Sequence, residues 1–371
     1  MKTPKIVFIL DSISQPRCIK RVRSFINNGF EVEIYGFDRG VYNVNAKIDD
    51  QEIKILSYAN SGKGYVSKLI NSYKHIKKIL NKQKNTSTLY YVFGYDNALV
   101  ISLFKNKKYI YEIGDLVYTY FNNSILRNFL LLVDKIIIKR SFLSVLITEG
   151  MKDYLYGKNI TPSNVLIQRN KIDPSFKEIE RKFHLLESDK KINFGFAGAI
   201  RYESTVFRVA KIIGLKFPQH SFYFFGDSTN NKNVINLANT YENIYFMGPF
   251  RNPQDLESIY NIIDVVVACY ETNTVNEKIA EPNKLYEALF FCKPLLVSKN
   301  TYLESLVAKE NNFGYSIDAT NDKEVETFIQ NISIADLNKK ITNISKLSKE
   351  SVIDDNGKGI INYLLSNNKK T

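Results

Sequence analysis

Cysteine and histidine are scarce, with three of each in 371 residues. Cys18, Cys269 and Cys292 lie far apart and form no C-x-x-C, so they read as buried, reduced thiols of a cytoplasmic protein rather than a disulfide framework. His75, His184 and His220 have no metal-ligand spacing, and no D-x-D is present, so no metal site and no cofactor are expected. Long apolar runs are also missing. The most apolar long stretch, Phe129 to Ile138, is interrupted by Asp134 and Lys135, and nothing approaches the roughly 20 residues of a membrane span. The short apolar run before Asp11 suits a first β-strand better than a signal peptide. No G-x-G-x-x-G follows that strand, which disfavours a dinucleotide-dependent oxidoreductase. No RNP, zinc-finger or helix-turn-helix signature is found, which argues against nucleic acid as the partner.

Positive charge, in contrast, is abundant and lopsided. The formal net charge is +13. Through Asn170 there are 26 Lys+Arg against 13 Asp+Glu; from Lys171 onward there are 25 of each. Such asymmetry points to a polyanionic partner, a nucleic acid or an anionic membrane surface, or else to lysines that serve solubility. The length suggests about two domains.

Short apolar runs alternate with helical patterns. Lys5–Leu10, Glu31–Phe37, Glu52–Tyr58, Leu89–Tyr95, Lys108–Gly114 and Ser144–Thr148 read as strands. Helices are expected over Gln15–Asn28, Gly62–Lys84 and Ser124–Arg140, the second with an apolar stripe of Val66, Leu69, Ile70, Tyr73, Ile76 and Leu80 facing the core. The rhythm breaks at Gln168–Glu187, which reads as an interdomain connection. It then restarts with strands NFGFAGA, SFYFFGD, NIYFMG, DVVVACY and PLLVS and intervening helices, ending in a helical tail from about Asp322. Alternation of this kind implies βαβ units. The expected fold is α/β: two Rossmann-like, doubly wound parallel-sheet domains, residues 1–170 and 171–371, facing across a cleft where ligands bind at the carboxyl ends of the strands.

The most informative segment is EPNKLYEALFFCKPLLVS, Glu281 to Ser298. Lys284 and Glu287 share one helix face near its N-terminus, where phosphate is favoured and where a carboxylate one turn on accepts from vicinal hydroxyls. A surface ion pair is the plain alternative. Gly198 and Arg201, in NFGFAGAIRYES, offer close backbone approach to a phosphate and a planar fork for two of its oxygens, or else a tight turn with a solvated arginine. Asp11 and Asp115 each follow an apolar strand and read as cleft-facing carboxylates or as helix caps.

P-x-K-L-Y-E-A-L…C-K-P-L-L-V-S resembles the donor-nucleotide segment of GT-B glycosyltransferases, closest to the family-4-like enzymes of bacterial capsule, exopolysaccharide and lipopolysaccharide assembly. The resemblance implies that Glu287 binds the ribose hydroxyls, that Lys284, Gly198 and Arg201 hold the diphosphate, and that the loop from Gly248 to Arg251 flanks the base. It places Asp115 as candidate base or electrostatic partner of the acceptor hydroxyl, with Asp11 and Glu149 on the acceptor side. Three departures stand out. Ile279 occupies the position, eight before Glu287, of a glutamate that contacts the donor sugar in many members, with Glu277 and Glu281 out of register. Gly114 stands where relatives often carry histidine, and DSISQPR replaces a Gly-Gly loop. The implied activity is transfer of a sugar from a nucleotide-diphosphate sugar to a hydroxyl of a saccharide acceptor, lipid-linked and used for surface polysaccharide, by a cytoplasmic enzyme peripheral on the membrane. With Arg201, Lys284 and helix N-termini placed to neutralise the leaving diphosphate, the expected route needs no metal. The alternatives are a nucleic-acid-binding protein and a nucleotide-sugar epimerase of the same fold.

Overall fold

The computed structural model describes residues 4–38, 47–56, 65–83, 88–188, 191–227 and 231–367. The chain forms two compact units: residues 1–169 with 355–371, and residues 170–354.

The first unit holds strands β1 (Ile6–Leu10), β2 (Val32–Phe37), β3 (Lys47–Ile48), β4 (Gln51–Leu56), β5 (Leu89–Phe93), β6 (Tyr109–Ile113), β7 (Leu143–Leu146) and β8 (Val165–Ile167). Their order is β3-β4-β2-β1-β5-β6-β7-β8; all pairs are parallel except β3 with β4. Every residue of β1, β5 and β6 is buried, as expected of central strands covered on both faces. The helices are α1 (Pro16–Asn27), α2 (Tyr65–Lys82), α3 (Tyr95–Ser102), α4 (Ser124–Arg140) and α5 (Glu149–Tyr156). Proline at the first position of α1 costs no hydrogen bond there. Cys18, Val22 and Phe25 of α1 pack on Phe8 and Tyr91, and burying a Phe such as Phe25 stabilises by about 1.5–3 kcal/mol. The Asn123 side chain accepts from the backbone N–H groups of Ile125 and Leu126 at 3.0 and 3.1 Å, a cap worth about 1 kcal/mol, while Lys139 and Arg140 suit the opposite end of the α4 dipole.

The second unit holds β9 (Asn193–Ala197), β10 (Ser221–Phe225), β11 (Ile244–Gly248), β12 (Val265–Ala268), β13 (Leu295–Ser298) and β14 (Gly314–Ile317), all parallel, in the order β11-β10-β9-β12-β13-β14. Its first helices are α6 (Val206–Lys216), α7 (Asn231–Thr240), α8 (Leu256–Ile262), α9 (Val275–Lys278) and α10 (Asn283–Phe290). In each sheet the strand order reverses, beside β1 and beside β9. Those are the switch points where open α/β sheets bind ligands.

The structure departs from the sequence reading in several places. The tail was expected wholly in the second domain, but its last helix, Lys358–Asn367, belongs to the first unit. Ile360, Ile361 and Leu364 enter the core around Phe8 and Phe25, and the Tyr363 hydroxyl donates to the Phe142 carbonyl at 3.2 Å. The connection after Arg169 packs on the second unit, where the Arg181 guanidinium donates to the carbonyls of Leu289, Phe290 and Ile344. The α2 stripe faces the core only in its second half: Ile76 and Leu80 are buried, Val66 and Ile70 are exposed. The ends expected for that helix, Gly62 and Lys84, and the strand end at Ser57–Tyr58 lie outside the described residues.

Candidate active site

In the second unit the ends of β9, β10 and β11 are each closed by a glycine with positive φ. Gly198 (φ +133°) donates its N–H to the Phe225 carbonyl at 2.9 Å, and Gly226 (φ +135°) donates to the Gly248 carbonyl at 2.8 Å. A Cβ on Gly226 would lie 1.9 Å from the Gly198 carbonyl oxygen, so only glycine permits this approach. A Cβ on Gly198 would sit 3.5 Å from Lys284 Nζ, which places the lysine head directly over the glycine turn.

Lys284 is the second residue of α10, which follows the extended Pro282. Its ammonium is buried, 3.5 Å from the Phe196 ring centroid and 5.0 Å from that of Tyr270. Two aromatic faces attract a cation but do not neutralise it. Burial lowers the Lys284 pKa to about 7; Glu287 opposes the shift and Arg201 adds to it. A buried cation over a glycine turn, at a helix N-terminus and repelled by a second cation, is a basin for an anion.

Glu287 lies one turn further along α10 and is buried. Asn252 Nδ2 donates to its Oε1 at 3.1 Å, and the Tyr260 hydroxyl donates to its Oε2 at 2.8 Å. Both carboxylate oxygens are thus oriented by partners far away in sequence. The two nearby glutamates are used structurally. Glu277 closes the capping box of α9 by accepting from the Thr274 N–H at 2.8 Å, and Glu281 accepts from the Tyr286 hydroxyl.

The structure thus brings Gly198, Lys284 and Glu287 into one neighbourhood, with Gly248 joined through Gly226. Arg201 is exposed, its guanidinium 5.5 Å from the Tyr202 ring centroid, and Tyr202 stacks on Tyr270 at 4.5 Å. Arg251 is not drawn in. Its guanidinium is exposed and pairs with Asp255 at 2.7 Å, and the neighbour that reaches Glu287 from this loop is Asn252. Sequence reasoning missed Gly226, Asn252 and Tyr260. Gly226 gave the same signal as Gly198, a glycine ending an aromatic-rich strand.

The first unit has its own cavity, about 220 Å³, at the carboxyl ends of β1, β5 and β6. Asp11, Gln15, Arg17, Gly94, Asp115 and Tyr120 are among its lining residues. Asp115 is exposed and accepts from the Tyr120 hydroxyl at 3.5 Å; Asp11 Oδ1 accepts weakly from the Cys18 thiol at 3.4 Å. Arg17 Nε lies 3.5 Å from Glu112 Oε1, and Arg21 Nε 3.0 Å from Glu112 Oε2, with Tyr91 also donating to that carboxylate. Burial opposes the charge on Arg17, but Glu112, Cys18, Asp11 and Asp115 outweigh it and hold the guanidinium above its ordinary range. A Cβ at position 114 would lie 2.1 Å from Arg17 Nη1. The Arg17 guanidinium thus fills the space that a side chain at position 114 would take. Glu149 lies elsewhere, at the start of α5, 3.4 Å from Lys152 Nζ and 3.9 Å from Arg169 Nη2.

Residues 176–347 match the family model described as "Glycosyl transferases group 1". No curated protein matches the sequence. Among solved structures, the chain resembles Anabaena HepE in complex with UDP and glucose (TM-score 0.68, 14% identity, 98% of this chain and 100% of that one). It also resembles sucrose-phosphate synthase from Thermosynechococcus elongatus (0.67, 14%, 94% and 96%) and the lipopolysaccharide outer core galactosyltransferase WaaB (0.61, 14%, 98% and 99%).

Proposed function

We propose that this chain, which has the GT-B fold and whose residues 176–347 match the glycosyl transferases group 1 family model, is a glycosyltransferase with a specific division of labour. The second unit binds a nucleotide-diphosphate sugar. Lys284, the turn at Gly198 and Gly226, and Arg201 hold the diphosphate; Glu287, aimed by Asn252 and Tyr260, accepts from the ribose hydroxyls. The observation that carries this reading is the buried Lys284 ammonium, held by two rings over a glycine turn. HepE is complexed with UDP, which makes UDP the first nucleotide to test on this chain.

In the first unit the cavity lined by Asp11 and Asp115 receives the acceptor hydroxyl. Asp115, solvent-accessible and held by Tyr120, is the base or electrostatic partner. As charge grows on the departing diphosphate, Arg201, Lys284 and the α10 N-terminus stabilise it without a metal ion. The acceptor is a saccharide carried on a membrane lipid and used for surface polysaccharide, which gives the basic first half of the chain a partner.

The experiment is calorimetry with UDP on wild type and Glu287→Ala. Loss of a charged hydrogen-bond partner costs roughly 1.5–3 kcal/mol, or about 10- to 150-fold in affinity. Unchanged affinity in a folded Glu287→Ala protein removes Glu287 from the ribose site.

A further inference from the structure

The first unit exposes large apolar side chains in a pattern that its own core does not explain. Along α4, Ile125, Phe129, Leu132 and Ile136 recur at i, i+4, i+7 and i+11, so they form one stripe. They face solvent, Ile125 at 81%, Phe129 at 60% and Leu132 at 58%. The opposite face is the buried one, with Ile137, Ile138 and Asp134. Lys135 and Lys139 flank the stripe on one side and Arg140 on the other; Lys139 and Arg140 are exposed.

This stripe is not isolated. The helix α3 packs against both α2 and α4. At its C-terminal end Leu103 is exposed, and beyond it Val66, Ile70 and Tyr73 of α2 are exposed too. The Tyr73 ring stacks on Phe104 at 5.9 Å, tying α2 to the segment after α3. The exposed charge on the three helices is all positive. Together α2 and α4 carry nine Lys+Arg, while the carboxylates of α2, α3 and α4 are Asp96 and Asp134, neither of them exposed. Among the described residues no helix is long and apolar enough to cross a membrane.

From this we infer that the α2–α3–α4 face of the first unit docks on an anionic lipid bilayer. Aliphatic and aromatic side chains enter the boundary between headgroups and acyl chains, and the flanking cations meet anionic headgroups. A second copy of the chain would set like charges against like, with no exposed carboxylate on these helices to pair with them. The bilayer fits the charge pattern and the copy does not. The inference gives a surface to the membrane-carried acceptor proposed above. It takes its purpose from that reading, but its chemistry is independent of it.

The test is co-sedimentation of the full chain with vesicles of phosphatidylcholine alone and of equal parts phosphatidylcholine and phosphatidylglycerol. No donor or acceptor is added. Wild type is expected to pellet with the anionic vesicles and to be released progressively as salt rises from about 0.1 M to about 1 M, as the Debye length falls from about 10 Å to about 3 Å. Removing two cations in Lys139→Gln/Arg140→Gln should weaken partition about 30-fold, at roughly fivefold per charge. Phe129→Ser/Leu132→Ser should lose partition while keeping the thermal midpoint, since both side chains are exposed. Both variants should keep the wild-type response to UDP. Wild type left in the supernatant with anionic vesicles at low salt overturns the inference. So does partition unchanged in both variants, or a solution dimer that the serine variant splits without loss of partition. Failure of UDP to bind wild type would sink the donor-site reading alone, because vesicle binding is read without it.

Discussion

Replacing Lys284 by methionine should strengthen the fold and abolish the proposed donor binding. The pKa of Lys284 falls from 10.5 to about 7 because its ammonium is buried. At about 1.36 kcal/mol per unit, that is a ceiling of roughly 5 kcal/mol of stability withheld by the charge. Below pH 7 the lysine is protonated in folded and unfolded chains alike, so the full penalty applies. Between about pH 7 and 10.5 the unfolded chain holds a proton that the folded chain does not, and stability rises with pH. Lys284→Met removes both the penalty and this slope, and an apolar side chain of similar reach fits between Phe196 and Tyr270. Urea unfolding at pH 6, 7, 8 and 9 should show the variant more stable at pH 6 and 7, converging with wild type at higher pH. Donor binding moves the other way. A diphosphate selects the protonated lysine, whose share falls from about nine-tenths at pH 6 to about one-tenth at pH 8, so affinity should drop about tenfold over that span. A nucleotide sugar is the right probe, since its diphosphate, esterified at both ends, does not titrate there. Calorimetry with UDP-glucose that gives pH-independent affinity in wild type, or undiminished affinity in Lys284→Met, would refute the reasoning.

Gly226→Ala forces a Cβ to within 1.9 Å of a backbone oxygen at φ +135°; it should cost about 2–5 kcal/mol in urea unfolding and weaken UDP binding, and a protein unchanged in both would show that the glycine turn is not fixed. If Arg201, Lys284 and the α10 N-terminus neutralise the leaving group as proposed, transfer activity should persist in excess EDTA; complete loss followed by rescue with Mg²⁺ or Mn²⁺ would overturn the metal-free route.

Much of this architecture was legible in the chain. Central strands such as β1 and β12 are unbroken apolar runs because both faces are covered, and α4 runs over Ser124–Arg140 as its periodicity predicts. Peripheral strands were harder. With two residues, β3 offers no pattern, and β8 and β14 are short and half-buried. The Lys284–Glu287 pair was readable from helical spacing. What aims Glu287 was not: Asn252 and Tyr260 lie 35 and 27 positions away, and no local rule joins them. The same holds for Glu112, whose partners Arg17 and Arg21 sit on another element. The family resemblance sets Arg251 in a loop flanking the base, yet its guanidinium is exposed and pairs with Asp255, one turn on. The first half of the α2 stripe, Val66 and Ile70, looked like a core face but is exposed, because periodicity marks an apolar side without saying what covers it.

The last helix, Lys358–Asn367, has a consequence for how the molecule comes into being. Ile360, Ile361 and Leu364 complete the core formed by Phe8 and Phe25, so the first unit is finished by residues made after the whole of the second. Residues 170–354 leave the ribosome as one uninterrupted stretch, ahead of residues 355–367. The first unit, begun earlier, must wait with an apolar seat open beside α1 until those later residues emerge. Order of synthesis and order of completion are thus reversed between the two. A chain cut after residue 354 would carry every residue of the second unit and an unfinished first one.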